Sequence, residues 1–222
     1  MRFRQVPPDM IEQESFRIIE EELRQRWPGA LPFSPGQFEV ARRMIHATGD
    51  MEFAELIRFS PGAVEAGISA LRAGKSILVD VNMAAQGISK GLLEGLGGRI
   101  LCNISSPEAA ALARDLGITR AEAGIELAAG RDDIGIVAIG NAPTALIHLV
   151  RMVREGRFEP DLIVGVPVGF VNAAESKEFL EGLARPWITT RGRKGGTPAA
   201  VAAVNALIRL ATKGDSREDS GP

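Results

Sequence analysis

Apolar residues fall along this chain in two rhythms, and the change comes near residue 75. Beyond it stand five short runs rich in β-branched residues: Ile77–Val81, Ile100–Ile104, Ile134–Ile139, Leu162–Val166 and Trp187–Thr190. Each is too short for a typical helix and is bounded by Gly, Pro or Asn, which predicts strands. The segments between them carry helix-start signals. Ser106-Pro107-Glu108 sets an N-cap before a proline suited to the first helical position. Thr119-Arg120-Ala121-Glu122 has the spacing of a capping box. Thr197-Pro198 opens a last helix with apolar positions at Val201, Val204, Leu207 and Ile208. Near-continuously apolar strands alternating with helices predict a parallel sheet covered on both faces. The expected fold class is three-layer α/β/α, with a mainly parallel sheet of about five strands.

The first 75 residues show no convincing strand. Asp9 is placed to cap a first helix, and Ser34-Pro35 and Ser60-Pro61 each to start another. This helical N-terminal region is expected to pack on the α/β unit, so that residues 1–212 make a single domain (1–75 helical, 76–212 parallel α/β). A polar tail over 213–222 is expected to be flexible.

Composition narrows the class. With 222 residues, 45% hydrophobic and 24% charged, the chain is globular rather than disordered. A net charge of −2 argues against a general nucleic-acid binder. The single cysteine, Cys102, excludes a disulfide framework and fits a reducing compartment. The N-terminus places charges and prolines where a signal peptide has its apolar core. The longest uncharged run, Ile134 to Val150, is interrupted by Gly140, Asn141 and Pro143, so it reads as strand, turn and helix start. No membrane segment and a cytoplasmic location are expected.

In a parallel sheet, ligands bind beyond the carboxyl ends of the strands. The loops there are unusual: Gly140-Asn141-Ala142-Pro143-Thr144, Gly165-Val166-Pro167-Val168-Gly169-Phe170, and Arg191-Gly192-Arg193-Lys194-Gly195-Gly196-Thr197. Glycines at a strand-to-helix turn allow a ligand close to backbone N–H groups, and a helix N-terminus favours an anion. Three such loops, one with three cations, predict an edge that binds something large and anionic. The dinucleotide and P-loop fingerprints are absent. Gly87-Ile88-Ser89-Lys90-Gly91 fits G-x-S-x-G, but a nucleophile elbow carries its serine on the strand-to-helix turn, and Ser89 comes eight residues after Val81. His46 has Asp50 one turn on but no second histidine or cysteine pair at ligand spacing, so no metal is expected.

Two histidines and no tyrosine leave few groups that titrate near neutrality. His148 lies in the apolar run Leu146-Ile147-His148-Leu149-Val150 and reads as structural. His46 lies near a helix end marked by Gly49, where a cation is favoured. Spacing alone leaves it either a cap or a catalyst.

Several stretches in one order, Ile45-His46-Ala47-Thr48-Gly49-Asp50, Gly140-Asn141-Ala142-Pro143-Thr144-Ala145-Leu146, Gly165-Val166-Pro167-Val168-Gly169-Phe170-Val171, Ala174-Glu175-Ser176-Lys177 and Gly192-Arg193-Lys194-Gly195-Gly196, resemble the precorrin-8X methylmutase (precorrin isomerase) family. The resemblance runs from about Asp9 to Leu210. It implies an isomerase that moves a methyl group from C-11 to C-12 of precorrin-8X or cobalt-precorrin-8, giving hydrogenobyrinate or cobyrinate in cobalamin biosynthesis. It also implies no cofactor, a homodimer with sites near the interface, a catalytic histidine at His46 and a substrate-contacting serine at Ser15. The last glycine loop commonly ends in serine in that family, where this chain keeps a hydroxyl in Thr197.

A late precorrin is a flat apolar macrocycle fringed by carboxylates, so it needs apolar side chains against its face and N–H or cationic donors at its rim. Met83, Val168 and Phe170 are candidates for the face. Arg120, Arg191, Arg193 and Lys194 are candidates for the rim, and Arg17 is a further substrate-binding candidate. Thr48, Thr119, Asn141, Thr144 and Ser176 offer polar contacts, and Gly169, Gly195, Gly196 and Thr197 offer the last loops' N–H groups. Two alternatives stay open on the residues alone, a non-catalytic tetrapyrrole-binding protein and a phosphate-binding α/β enzyme.

Overall fold

The computed structural model describes residues 5–213. Helices α1 (Ile11–Arg26), α2 (Pro35–Thr48) and α3 (Phe53–Leu56) lead into strand β1 (Ile57–Phe59) and helix α4 (Ala63–Arg72). Then come β2 (Ser76–Val79), α5 (Asn82–Gly87), α6 (Lys90–Gly95), β3 (Ile100–Leu101), α7 (Pro107–Leu116) and α8 (Arg120–Glu126). The chain finishes with β4 (Ile134–Ile139), α9 (Pro143–Arg154), β5 (Leu162–Gly165), α10 (Ala173–Glu181), β6 (Trp187–Thr190) and α11 (Thr197–Thr212). The six strands form one sheet in the order β1-β6-β5-β4-β2-β3. Every pair is parallel except β1 with β6.

Alternation along the strands divides the core into two layers. Ile77, Val79, Ile136, Ala138, Leu162 and Val164 join the cluster with α1, α2, α4 and α11 on one face. Leu78, Val137, Ile139 and Ile163 join α9 and Leu180 of α10 on the other. The three-layer α/β/α reading therefore holds. The N-terminal helices share their apolar cluster with the sheet, through Phe16, Ile19, Leu23, Val40 and Met44.

Local signals placed most boundaries. Ser34 and Thr119 each complete a capping box, with Gln37 and Glu122. Ser106 Oγ accepts from Ala109 N at 3.0 Å. Gly49 ends α2 in the left-handed region at φ 61°, where a side chain would be strained. Asp9 does not cap α1; it lies in a 3-10 turn, Pro8–Met10, and the N-cap is Met10 with no side-chain bond.

The N-terminal region does contain a strand, contrary to the expectation of helices alone. Ile57-Arg58-Phe59 pairs antiparallel with β6, Ile57 opposite Thr190 and Phe59 opposite Ile188. Ser60 belongs to this edge rather than to a helix cap: its Oγ accepts from Trp187 N at 2.8 Å, and α4 starts instead after Gly62. The expected tail, beyond Lys213, lies outside the described residues.

Candidate active site

His46 stands on the last turn of α2, exposed, with its ring edge-on to Phe16 at 5.3 Å between centroids. Phe16 comes from α1 and also lies under the guanidinium groups of Arg42 and Arg43, at 4.3 and 5.0 Å. Because α2 packs along α11, the imidazole opens into a hollow of about 340 Å³ lined by Glu12, Arg43, Ala47, Pro198, Val201, Ala202, Asn205 and Arg209. A second hollow of about 400 Å³ shares Ala47 and Pro198 with it and adds Thr48, Asp50, Phe53, Val168, Lys194 and Gly195. The fold thus brings His46 next to four of the predicted contacts, Thr48, Val168, Lys194 and Gly195.

The electrostatics differ from a bare cationic loop. Lys194 Nζ donates to Asp50 Oδ2 at 2.6 Å and also to Glu52. That pairing holds the Asp50 carboxyl below its ordinary range and the Lys194 ammonium above its own. Arg191 reaches Glu181 at 3.4 Å, while Arg193 stacks 5.3 Å from the Phe170 ring centroid. On the other side of His46, Arg43 donates to Glu12 at 3.0 Å. Burial pushes the Glu12 carboxyl up, but the bond to Arg43 and the charges of Arg43, Arg209 and His46 outweigh it and leave the carboxyl low.

The glycine loops turn out to be packed against each other. A Cβ on Gly195 would lie 2.2 Å from Val166 O, and one on Gly140 would lie 2.7 Å from Thr197 Cα. Gly196 N donates to Val166 O at 2.8 Å and Gly169 N to Arg193 O at 3.2 Å. The N–H groups after β4 are taken as well. β2 connects outward to β3 while the chain from β4 proceeds the other way, which makes the crevice between β2 and β4 the switch point of the sheet. Asp80 closes that crevice: Oδ1 accepts from Gly140 N at 3.3 Å and Oδ2 from Asn141 N and Ala142 N at 2.8 Å. A carboxylate of the protein itself occupies the anion position predicted for a ligand.

The other predicted residues fall into distinct places. Thr119 and Thr144 hydroxyls meet at 3.2 Å, with Arg120 exposed beside them. Asn141, Met83 and Phe170 are exposed at the carboxyl edge, the last two at 69% and 85%. Thr197 is buried at the start of α11. Ser15 Oγ donates to Ile11 O at 2.9 Å along α1, and Arg17 is tied to Glu14 and Glu21 on the exposed side of that helix. Ser176 is fully buried, its hydroxyl donating to Ala173 O at 2.9 Å, so it supports α10 from within. Its neighbour Lys177 is also buried and lies under the last loop, donating to Lys194 O at 2.8 Å; desolvation lowers its pKa to about 8.

His148 binds Glu126 Oε2 at 2.6 Å, and Glu126 in turn binds Arg157 at 2.5 Å, which fastens α9 to α8. Ser89 is held by its backbone, its N donating to Asn205 Oδ1 at 2.9 Å, at the joint between α5 and α6. Among the described residues no three His, Cys, Asp or Glu side chains cluster as a metal site requires. No described helix is long and apolar enough to cross a membrane.

Sequence reasoning missed Asp80, Asn205 and Arg209. Each had a signal: Asp80 interrupts an apolar strand run, and Asn205 and Arg209 are polar positions four apart in the otherwise apolar sequence of α11.

The family described as CbiC, precorrin-8X methylmutase, has a sequence model that matches residues 10–210. The cobalt-precorrin-8 methylmutase of Priestia megaterium is 45% identical over 215 residues, covering 97% of this chain and 93% of that protein. The precorrin-8X methylmutase of Pseudomonas aeruginosa is 42% identical over 200 residues, 89% of this chain and 93% of that one. A crystal structure of the precorrin-8X methylmutase from Thermus thermophilus superposes with a TM-score of 0.82 at 46% identity, covering 92% of this chain and 98% of that one.

Proposed function

Since the chain belongs to the precorrin-8X methylmutase family, isomerases of cobalamin biosynthesis, we propose that it carries out this methyl shift in the hollows beside His46, with that imidazole as the proton donor. The reaction moves a methyl group from C-11 to C-12 of precorrin-8X or cobalt-precorrin-8. An intramolecular shift of this kind has no net gain or loss of electrons, so the protein's task is to hold one tautomer and move one proton.

The observation that carries the reading is the setting of His46. Its ring is exposed between apolar walls, Ala47, Pro198, Val201 and Ala202, and a rim on which Arg43 is paired with Glu12 and Arg209 carries the free cation. An apolar wall suits the macrocycle face and a cationic rim suits its carboxylates. An imidazole can give a proton and take it back, so a donor that protonates the macrocycle can recover the proton after migration. The phosphate reading lacks such support, because Asp80 already takes the N–H groups a phosphate would need at the switch point.

Incubating purified protein with precorrin-8X or its cobalt form, followed by absorption spectroscopy, tests this directly. The shift changes the conjugation of the ring, so turnover is expected as a new spectrum. An unchanged spectrum over hours, with folded protein, rejects the reading.

The reading includes a homodimer with its sites near the interface. Met10, Ile11 and Ile18 of the N-terminal region are 42%, 53% and 37% exposed, an apolar stretch that a second copy would cover. Light scattering is expected to return twice the chain mass; an active monomer would remove the dimer from the proposal.

A further inference from the structure

The carboxylates of the macrocycle need unpaired cations, and the structure redistributes where these are. Lys194, one of the candidates by sequence, is neutralised by Asp50 and Glu52. Arg17 and Arg43 are paired with Glu14 and Glu12. Arg209 differs: its guanidinium is exposed and has no hydrogen bond or ion pair among the described residues. It lines the hollow of about 340 Å³ that also holds His46 and Arg43. Glu12, His46 and Arg209 line that one small space together, and the charge of Arg209 helps hold the Glu12 carboxyl low. Asn205, one turn earlier on the same face of α11, is fixed by Ser89 N at 2.9 Å and Gly87 O at 3.0 Å, so the helix face presenting Arg209 is anchored.

A hollow at the small end of ligand pockets, which run from about 300 to 1,000 Å³, takes one corner of a macrocycle rather than the whole. Resting on the functional reading above, we propose that Arg209 receives one peripheral carboxylate of the corrinoid and so fixes which rim of the ring faces His46. Arg43 is already engaged by Glu12, which leaves Arg209 as the free guanidinium of the hollow. An arginine–carboxylate pair is directional and bidentate, which suits a residue that sets orientation.

The test is absorbance titration of hydrogenobyrinic acid, and of its fully esterified, uncharged derivative, into wild type, Arg209→Gln and Arg209→Glu. For the acid, Kd is expected to rise about 10-fold in Arg209→Gln and about 100-fold in Arg209→Glu, the range of a lost charge-assisted bond and a repulsive one. The ester is expected to bind all three proteins within about twofold, and melting temperatures to agree because the side chain is exposed. Wild-type binding of the acid with both variants unchanged overturns this inference alone, as does an equal loss for acid and ester. A wild type that binds neither form overturns the functional reading and this inference together.

Discussion

Replacing His46 by alanine is expected to lower turnover by about 10²–10⁴, or roughly 3–5 kcal/mol of barrier, the usual contribution of a positioned general acid. Binding of the corrin product is expected to stay within a few-fold, because Arg209 and the apolar walls of the hollow are untouched. The fold is expected to survive too. The ring is exposed, and its aromatic contact among the described residues is the edge-on approach to Phe16, worth about 0.5–1.5 kcal/mol. His148→Ala is the informative companion. It breaks the bond to Glu126 between α9 and α8, so it is expected to lower stability and to leave turnover per folded molecule unchanged. Single-turnover absorption kinetics on both variants separate the outcomes. Folded His46→Ala protein that converts substrate within a few-fold of wild type would mean that the proton comes from elsewhere.

The largest stability effect is expected at Asp80. Its carboxylate is 2% exposed and accepts from Gly140, Asn141 and Ala142. Burial pushes this carboxyl above its ordinary value, and the three N–H donors pull it back only in part. A favourable charge is therefore not what a substitution removes; it removes acceptors. Asp80→Ala leaves three buried or half-buried N–H groups without their partner, at about 1–3 kcal/mol each if dry and less where water enters. A net loss of about 3 kcal/mol is expected, which for a chain of this length lowers Tm by about 6–12 °C. Asp80→Asn is expected to fall between, since it keeps one acceptor oxygen but turns an amide NH₂ towards donors. Urea and thermal unfolding measure both. An alanine variant that melts within about 2 °C of wild type would show that the loop holds itself without the carboxylate.

These two residues also mark the boundary between what was readable along the chain and what was not. Runs such as Ile134–Ile139 declare a buried strand by themselves, because the signal is a property of six consecutive side chains. Helix starts at Ser34, Ser106 and Thr119 were legible for the same reason: a cap and its partner lie three residues apart. Strand β1 was not, because three residues carry no periodic signal, and Ile57-Arg58-Phe59 becomes a strand only by meeting the free edge of β6. Ser60 looked like a helix cap until the fold placed Trp187 N beside its hydroxyl.

The site divides in the same way. Resemblance pointed to His46, and the loops that frame its neighbouring hollow stood out by their glycines and cations. Their charge state did not, since it depends on pairs formed across the chain: Lys194 with Asp50, 144 residues apart, and Asp80 with Asn141, 61 apart. The glycines at 140 and 195 looked like openings for a ligand, whereas the loops there are pressed against Thr197 and Val166. Sequence by itself determined five of the six strands, most helix boundaries and the family, because those are set by short-range pattern and by ordered motifs. Only the tertiary structure decided which donors and cations remain free for a ligand, because a hydrogen bond or ion pair is satisfied by whatever the fold brings within about 3 Å, and sequence distance carries no information about that.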